Sequence, residues 1–349
     1  MVMQKLGRQP ARLDSLDLFR LLDTGSGGHV SDPERVEAFL AKVRGPLSEA
    51  LSAESTVHGW RTQLLFGSLV VALDACVLLF TVDHGEMFAD GDDVKPPDFL
   101  LVLRDGRRML VDVKSVPPKR PTGPLRVSAS EMDGLRRFAD LLGGELFIAG
   151  LFTAMGEWVL VPAGAFELDE RGRYAVDLLR AFQTSEMSAL GDVMLGVVPP
   201  LRFDLVPAVS EPHQVGPDGT ASFTIGAVEL RVGGQLMVEE AERKLAMFLL
   251  RFSQWPSRED AEVDGSTLRR VSVVCEPEEP THGQGFEIVG KLSSMYTRWF
   301  YAATSDPDGG VSALDTSVEP GVLPALLPAD FSSPRLPLWR FTLIPQPAG

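Results

Sequence analysis

Apolar residues along the chain recur at two spacings, and the changes of spacing divide it. After Asp32-Pro33, the residues Val36, Phe39, Leu40 and Val43 fall on one helical face, with Asp32 as N-cap and Pro33 in the first turn. Gly45-Pro46 predicts a stop, followed by a short second helix over 47–51. Residues 60–73 read as an apolar helix, and 75–82 as an apolar strand. The spacing then falls to two. Residues 99–103 and 107–114 flank Arg104-Asp105-Gly106, the pattern of a β-hairpin. Ser128-Ala129-Ser130-Glu131 reads as a capping box before Met132, Leu135, Phe138, Ala139 and Leu142, and Gly143-Gly144 ends that helix. Residues 146–152 and 158–161 predict two further strands.

An amphipathic helix is predicted over 174–190, and Pro199-Pro200 punctuates the chain after it. Strand-like runs at 222–225, 228–232, 270–274 and 338–344 then surround one helix at 238–252. Its inner face carries Val238, Ala241, Leu245, Phe248, Leu249 and Phe252. The expected organisation is a helical N-terminal segment at 1–57 and an α/β domain at 58–168, with a mixed central sheet flanked by helices. A helical connector at 169–199 and a C-terminal α+β domain at 200–349 follow. Trp299, Phe300 and Tyr301 are read as core packing rather than a base-stacking platform, and the acidic stretch 276–282 as a solvated loop.

Composition narrows the function classes. The 349 residues carry 33 Lys and Arg against 48 Asp and Glu, a net charge of −15. Such a chain does not attract nucleic acid in bulk; that role requires a local basic patch or metal ions. Residues 95–140 supply one, with ten basic against six acidic side chains. Lys119, Arg120, Arg126, Arg136 and Arg137 are its candidate phosphate contacts. Cys76 and Cys275 are too few for a disulfide framework, and no histidine cluster accompanies them for zinc. The N-terminus lacks the apolar core of a secretory signal. The apolar run at 64–82 carries Asp74 near its middle, at an insertion cost of roughly 2.5–3.5 kcal/mol. The expectation is a soluble cytoplasmic protein with no membrane segment.

The stretch that carries chemistry is Pro97-Asp98 with Asp112-Val113-Lys114. Two carboxylates can hold a hard cation through oxygen. Such a cation polarises a phosphate and lowers the pKa of a water, and an adjacent lysine can orient that water or stabilise developing charge. Register decides whether these groups meet. A two-residue turn at Asp105-Gly106 would pair Asp98 with Val113 and send the two aspartates to opposite faces. A three-residue loop, with Gly106 left-handed, pairs Leu103 with Arg107 and hence Asp98 with Asp112. Lys114 then shares the face of Asp112.

Pro97, Asp98, Asp112 and Lys114, with a helix, strand, hairpin, helix and strand in order around them, resemble the PD-(D/E)xK, or restriction-endonuclease-like, nuclease superfamily. The resemblance covers residues 58–162, and the hairpin wording is also similar to transposon end-cleaving endonuclease subunits and Holliday-junction resolvases. It implies a Mg2+-dependent endonuclease acting on DNA, with Mn2+ as the alternative ion. Asp98, Asp112 and the carbonyl of Val113 would ligate the metal, and Lys114 would position the attacking water. The family's usual glutamate on the first helix has no counterpart here. Gln63 is the best match, with Asp74 and Glu86 as alternatives. The resemblance also implies a role in defence against foreign DNA, recombination or transposition, with recruitment by a protein partner or assembly as a homo-oligomer. A catalytically inactive binding or assembly protein of the same fold, and an RNA-cleaving effector, stay open as alternatives.

Overall fold

The computed structural model of the chain describes residues 10–22, 32–82, 87–89, 91 and 93–346. Helices α1 (Pro10–Leu22) and α2 (Pro33–Ser52) pack as a hairpin ahead of the body. Asp32 caps α2, its carboxylate accepting from the Glu34 N–H at 3.0 Å. The stop expected at Gly45-Pro46 does not occur, and α2 runs through it. Proline forfeits one backbone bond and frees the carbonyl four residues back. Lys42 and Pro46 are both exposed, so solvent can satisfy what is lost.

Helix α3 (Glu54–Leu73) buries Leu65, Phe66, Leu69 and Val70 against a five-stranded sheet. In that sheet β1 (Cys76–Thr81) pairs antiparallel with β2 (Phe99–Leu103), and β2 pairs antiparallel with β3 (Arg108–Val116). The chain then crosses through β4 (Leu125–Ser128) and α4 (Ala129–Leu142) to β5 (Glu145–Phe152), which lies parallel to β3. A parallel pair needs such a crossover, and α4 is its helix. Strand β6 (Glu157–Pro162) returns antiparallel, giving the order β1-β2-β3-β5-β6. Side chains alternate between faces. Phe99, Leu101, Met109 and Val111 join the cluster that contains α3, while Leu110 packs with Met132 and Leu135 of α4. Asp112 and Lys114 share parity with Leu110 and so belong to the α4 side.

Residues 174–190 do not form the single helix expected. After β7 (Glu167–Leu168) the chain makes β8 (Arg173–Val176), a short helix α5 (Leu178–Gln183) and a 3-10 turn at Met187–Leu190. Pairing overrides helical spacing here: Leu125 lies opposite Val176 and Val127 opposite Tyr174. Asp177 then starts α5, accepting from the Arg180 N–H at 2.9 Å.

The remaining strands form two more sheets. Strands β9 (Met194–Val197), β10 (Leu201–Pro207), β11 (Ile225–Val232) and β12 (Gln235–Leu236) precede α6 (Glu240–Phe252). Strands β13 (Ser257–Asp264), β14 (Thr267–Cys275) and β15 (Glu287–Lys291) lead to α7 (Leu292–Thr304), α8 (Val322–Leu326) and β16 (Leu338–Phe341). The sheet orders are β12-β11-β10-β14-β13 and β15-β9-β16. The helix expected over 238–252 is α6, and the runs at 228–232 and 270–274 lie in β11 and β14. The run at 222–225 contributes only Ile225. Helix α7 was not expected. Its Phe300 is fully buried, and Tyr301 lies under the Arg61 guanidinium, 4.9 Å from the ring centre. One buried cluster joins Phe66 and Trp158 of the central sheet layer to Leu245, Leu249 and Phe300. The Trp158 indole N–H donates to Thr297 Oγ1 at 2.9 Å, tying β6 to α7. The chain is thus mixed α/β, with the β2–β3 hairpin held between packed layers. Among the described residues no helix is long and apolar enough to cross a membrane.

Candidate active site

The hairpin loop sets the geometry. Gly106 has φ of +91°, a conformation strained for residues with a Cβ. Its N–H donates to the Leu103 carbonyl at 3.0 Å, and the Leu103 N–H donates to the Arg107 carbonyl at 2.9 Å. Arg104-Asp105-Gly106 is therefore a three-residue loop. The ladder runs Val102 to Arg108, Leu101 to Met109 and Phe99 to Val111. One step further, Asp98 stands opposite Asp112. Leu103 and Arg107 are a hydrogen-bonded pair, so alternation makes 98 and 112 a non-hydrogen-bonded pair, the position where opposed side chains come closest.

The strands part just beyond. The Val113 N–H, whose ladder acceptor would be the Pro97 carbonyl, instead donates to Asp98 Oδ2 at 2.7 Å. Gln63, on the third turn of α3, donates from Nε2 to Asp98 Oδ1 at 2.8 Å. Val113 therefore enters the site through its main chain, and Gln63 reaches it from the opposite layer.

Asp112 is only 3% exposed. The Lys114 ammonium lies 2.5 Å from its Oδ2 as an ion pair, but outside hydrogen-bonding geometry, so that buried oxygen has a counter-charge without a directed bond. The same ammonium lies 3.2 Å from Glu131 Oε1, and Glu131 also pairs with Lys95. Glu131 is the residue that sequence reading missed. Ser128 does its part of the expected capping box, its Oγ accepting the Glu131 N–H at 3.3 Å. The Glu131 carboxylate, however, turns to the two lysines. Lys95 is brought there by its N–H, which donates to the Gly134 carbonyl at 3.1 Å. Only glycine permits that approach, since a Cβ on residue 134 would stand 2.9 Å from Lys95 Cβ.

The electrostatics follow from burial and from this alternation of charge. Burial pushes the Asp112 carboxyl above the usual carboxylate range, against the pull of Lys114. Burial alone would lower Lys114, but Asp112 and Glu131 outweigh it and hold the ammonium above its ordinary value. For Glu131, burial is outweighed by Lys95 and Lys114, and its pKa falls.

These residues can be tested against a divalent cation. Among the described residues no group of three or more His, Cys, Asp or Glu side chains forms a ready metal cage. Mg2+, however, is usually held by one or two carboxylates, completed by water and substrate phosphate. Asp98 and Asp112 supply two hard oxygen donors on facing strands, and Asp112 Oδ2 is a buried oxygen with no hydrogen bond. The donor chemistry fits.

The other expected residues are dispersed. Asp74 caps α3 and pairs with Arg104 at 2.7 Å, at the loop end of the hairpin rather than at the site. Glu86 lies outside the described residues. In the basic segment, Arg126 lies 3.6 Å from Asp169, and Arg137 pairs with Asp93 at 2.5 Å. Arg136 donates to the Ala163 carbonyl at 3.0 Å and stacks 4.4 Å from the Tyr174 ring centre. Lys119 and Arg120 are exposed in the β3–β4 loop, with no ion-pair partner among the described residues.

No protein-family model matches the chain, and no curated protein matches it. Among solved structures it is similar to Hjc from Archaeoglobus fulgidus, a Holliday junction resolvase from an archaeal hyperthermophile. The match has 23% identity, covers 31% of this chain and 78% of that one, and has a TM-score of 0.24.

Proposed function

We propose that this protein is a metal-dependent endonuclease that hydrolyses phosphodiester bonds in DNA, with residues 58–168 as its catalytic unit. One observation carries the reading: Asp98 and Asp112 oppose each other at the open end of the β2–β3 ladder, with the Lys114 ammonium against Asp112. Asp98 and Asp112 would hold Mg2+ or Mn2+, alongside the main chain of Val113. The ion, when bound, would supply a Lewis acid and a more acidic water. Gln63 fixes the Asp98 carboxylate from α3. Lys114 holds a proton firmly, because two carboxylates face it, and so offers a positive donor to the water or to charge developing on phosphorus-bound oxygen. Glu131 keeps that ammonium from resting on Asp112 alone. Lys119 and Arg120 are free to contact the substrate backbone. Residues 200–349 serve recruitment or assembly.

The test incubates the purified chain with plasmid, linear duplex, single-stranded DNA and RNA in Mg2+, Mn2+ or EDTA, beside Asp112→Asn. DNA cleavage that both EDTA and the substitution abolish is the expected result. Cleavage of RNA alone transfers the same site to an RNA effector. A second reading, an inactive nuclease-fold binding protein, is favoured by one feature: both Asp98 oxygens already accept hydrogen bonds. Metal-independent substrate binding with no cleavage of any substrate would establish it.

A further inference from the structure

Helix α2 is twenty residues long and buries none of them. At about 100° per residue, Phe39, Ala50, Val43, Val36, Leu47, Leu40 and Leu51 fill one continuous arc of about 120°. Helix α1 covers the near edge of that arc, where Phe19 packs on Phe39 with ring centres 5.2 Å apart. Among the described residues the far edge has no cover: Val36, Leu40, Leu47 and Leu51 are 40%, 44%, 53% and 55% exposed. An apolar stripe of this width on a charged helix calls for a cover.

We propose that the cover is α2 of a second copy of this chain, packed antiparallel about a two-fold axis. The spacing of the four exposed positions of the stripe is its own complement. Val36, Leu40, Leu47 and Leu51 are separated by four, seven and four residues, symmetric about a point between Val43 and Arg44. Antiparallel pairing about that point sets Val36 against Leu51 of the second copy and Leu40 against its Leu47. An isologous interface requires this self-complementarity, and an unrelated partner does not. Charge agrees. Helix α2 carries three acidic and three basic side chains, so it is neutral in a chain of net charge −15. Two copies repel over most of their surface but not here. In the stated register Glu34, Glu37 and Glu49 face alanines, and the charged residue nearest the two-fold axis is Arg44. The inference is independent of the nuclease reading.

Sedimentation of the full-length chain tests it. Wild type should be a dimer, and Leu40→Glu should shift it to monomer with an unchanged circular dichroism spectrum, because the position is exposed in one copy. Adding Leu47→Lys to Leu40→Glu should restore the dimer, since each new glutamate then faces a new lysine. Leu40→Cys with Leu47→Cys should cross-link between copies on oxidation, while neither single variant does so as efficiently. Within one helix the two positions are about 10 Å apart in rise, too far for an internal disulfide. A monomeric wild type, a dimer indifferent to Leu40→Glu, or a folded double-charge variant that stays monomeric would each overturn the proposal.

Discussion

Lys114 stands two residues beyond Asp112 on one face of β3, and its ammonium is shared between Asp112 Oδ2 at 2.5 Å and Glu131 Oε1 at 3.2 Å. The lysine at the centre of the site therefore has two carboxylates to choose between. One comes from its own strand and is buried. The other comes from the first turn of α4 and is half-buried. Each substitution around it moves the balance in a direction that can be stated.

Asp112→Asn separates stability from activity. A buried carboxylate above its usual pKa is a cost to the fold, and an amide of the same shape removes that cost. Breaking a buried ion pair usually destabilises because the partner is stranded. Here Lys114 keeps Glu131. The expected result is a folding stability equal to or above wild type, by up to about 1–2 kcal/mol, with cleavage abolished. A variant that unfolds, or one that cleaves normally, contradicts this.

Gln63→Glu tests the proposed metal directly. Gln63 now donates to Asp98 at 2.8 Å; a carboxylate there would repel it. Without divalent ion the variant should melt below wild type. Excess Mg2+ should raise its midpoint more than that of wild type, because a third carboxylate tightens binding and the folded state alone binds. Equal Mg2+ shifts in the two proteins would argue against a metal between Asp98 and Asp112.

The legibility of these parts in sequence differs for physical reasons. Asp98 and Asp112 read as a pair because Gly106 selects the loop length and loop length sets register. Lys114 follows from the two-residue period of a strand. Glu131 does not, because its spacing from Ser128 is also that of a capping box, and only the arrival of Lys95 against Gly134 diverts it. Helix α7 is hidden for a related reason. Its first turn is capped by Asp192, 101 residues upstream, whose oxygens accept from the Ser293 N–H at 2.9 Å and the Ser293 hydroxyl at 2.6 Å. Local sequence holds no trace of that start. Residues 173–176 have helical spacing but pair with β4, a tertiary choice that propensity does not see.

Glu131→Gln should lower cleavage at neutral pH by about tenfold or more, the scale of a lost hydrogen bond to a charged group. It also withdraws one of the charges that raise the Lys114 pKa. The alkaline limb of the pH–rate profile should therefore move to lower pH, which a purely structural role for Glu131 would not produce. Lower activity with an unmoved limb would assign Glu131 to folding alone.

Asp192 gives the fold a pH dependence of defined sign. Burial pushes its carboxyl up to about 6, even though Ser293 donates to it twice. Unfolded, the group titrates near the ordinary value of about 3.9. Between those values the folded state holds a proton that the unfolded state has released, so stability falls as pH rises through this window and is level above it. Asp192→Asn should flatten melting midpoints measured from pH 4 to 7. Glu242 acts in the opposite sense and in a lower window. Burial would raise it, but Ser333, Arg335 and two backbone N–H groups hold it at about 2, so its contribution is lost as pH falls below about 4. A wild-type midpoint that does not fall between pH 4 and 6 relative to Asp192→Asn would reject the assignment.

The five basic residues expected to contact phosphate should divide by what already occupies them. Arg136 spends its guanidinium on the Ala163 carbonyl and the Tyr174 ring, so Arg136→Glu should lower folding stability by about 1 kcal/mol or more. Lys119 and Arg120 have no such engagement, and reversing both should leave stability within about 0.5 kcal/mol. Their loss should appear in DNA binding instead. The slope of log affinity against log salt should fall by about 0.9 for each duplex phosphate contact removed. The weakening should be alike for unrelated sequences, since phosphate contacts carry no base information. Fluorescence anisotropy across a salt series measures both quantities. An unchanged slope in Lys119→Glu/Arg120→Glu, with binding intact, would place the DNA-contacting surface elsewhere on the chain.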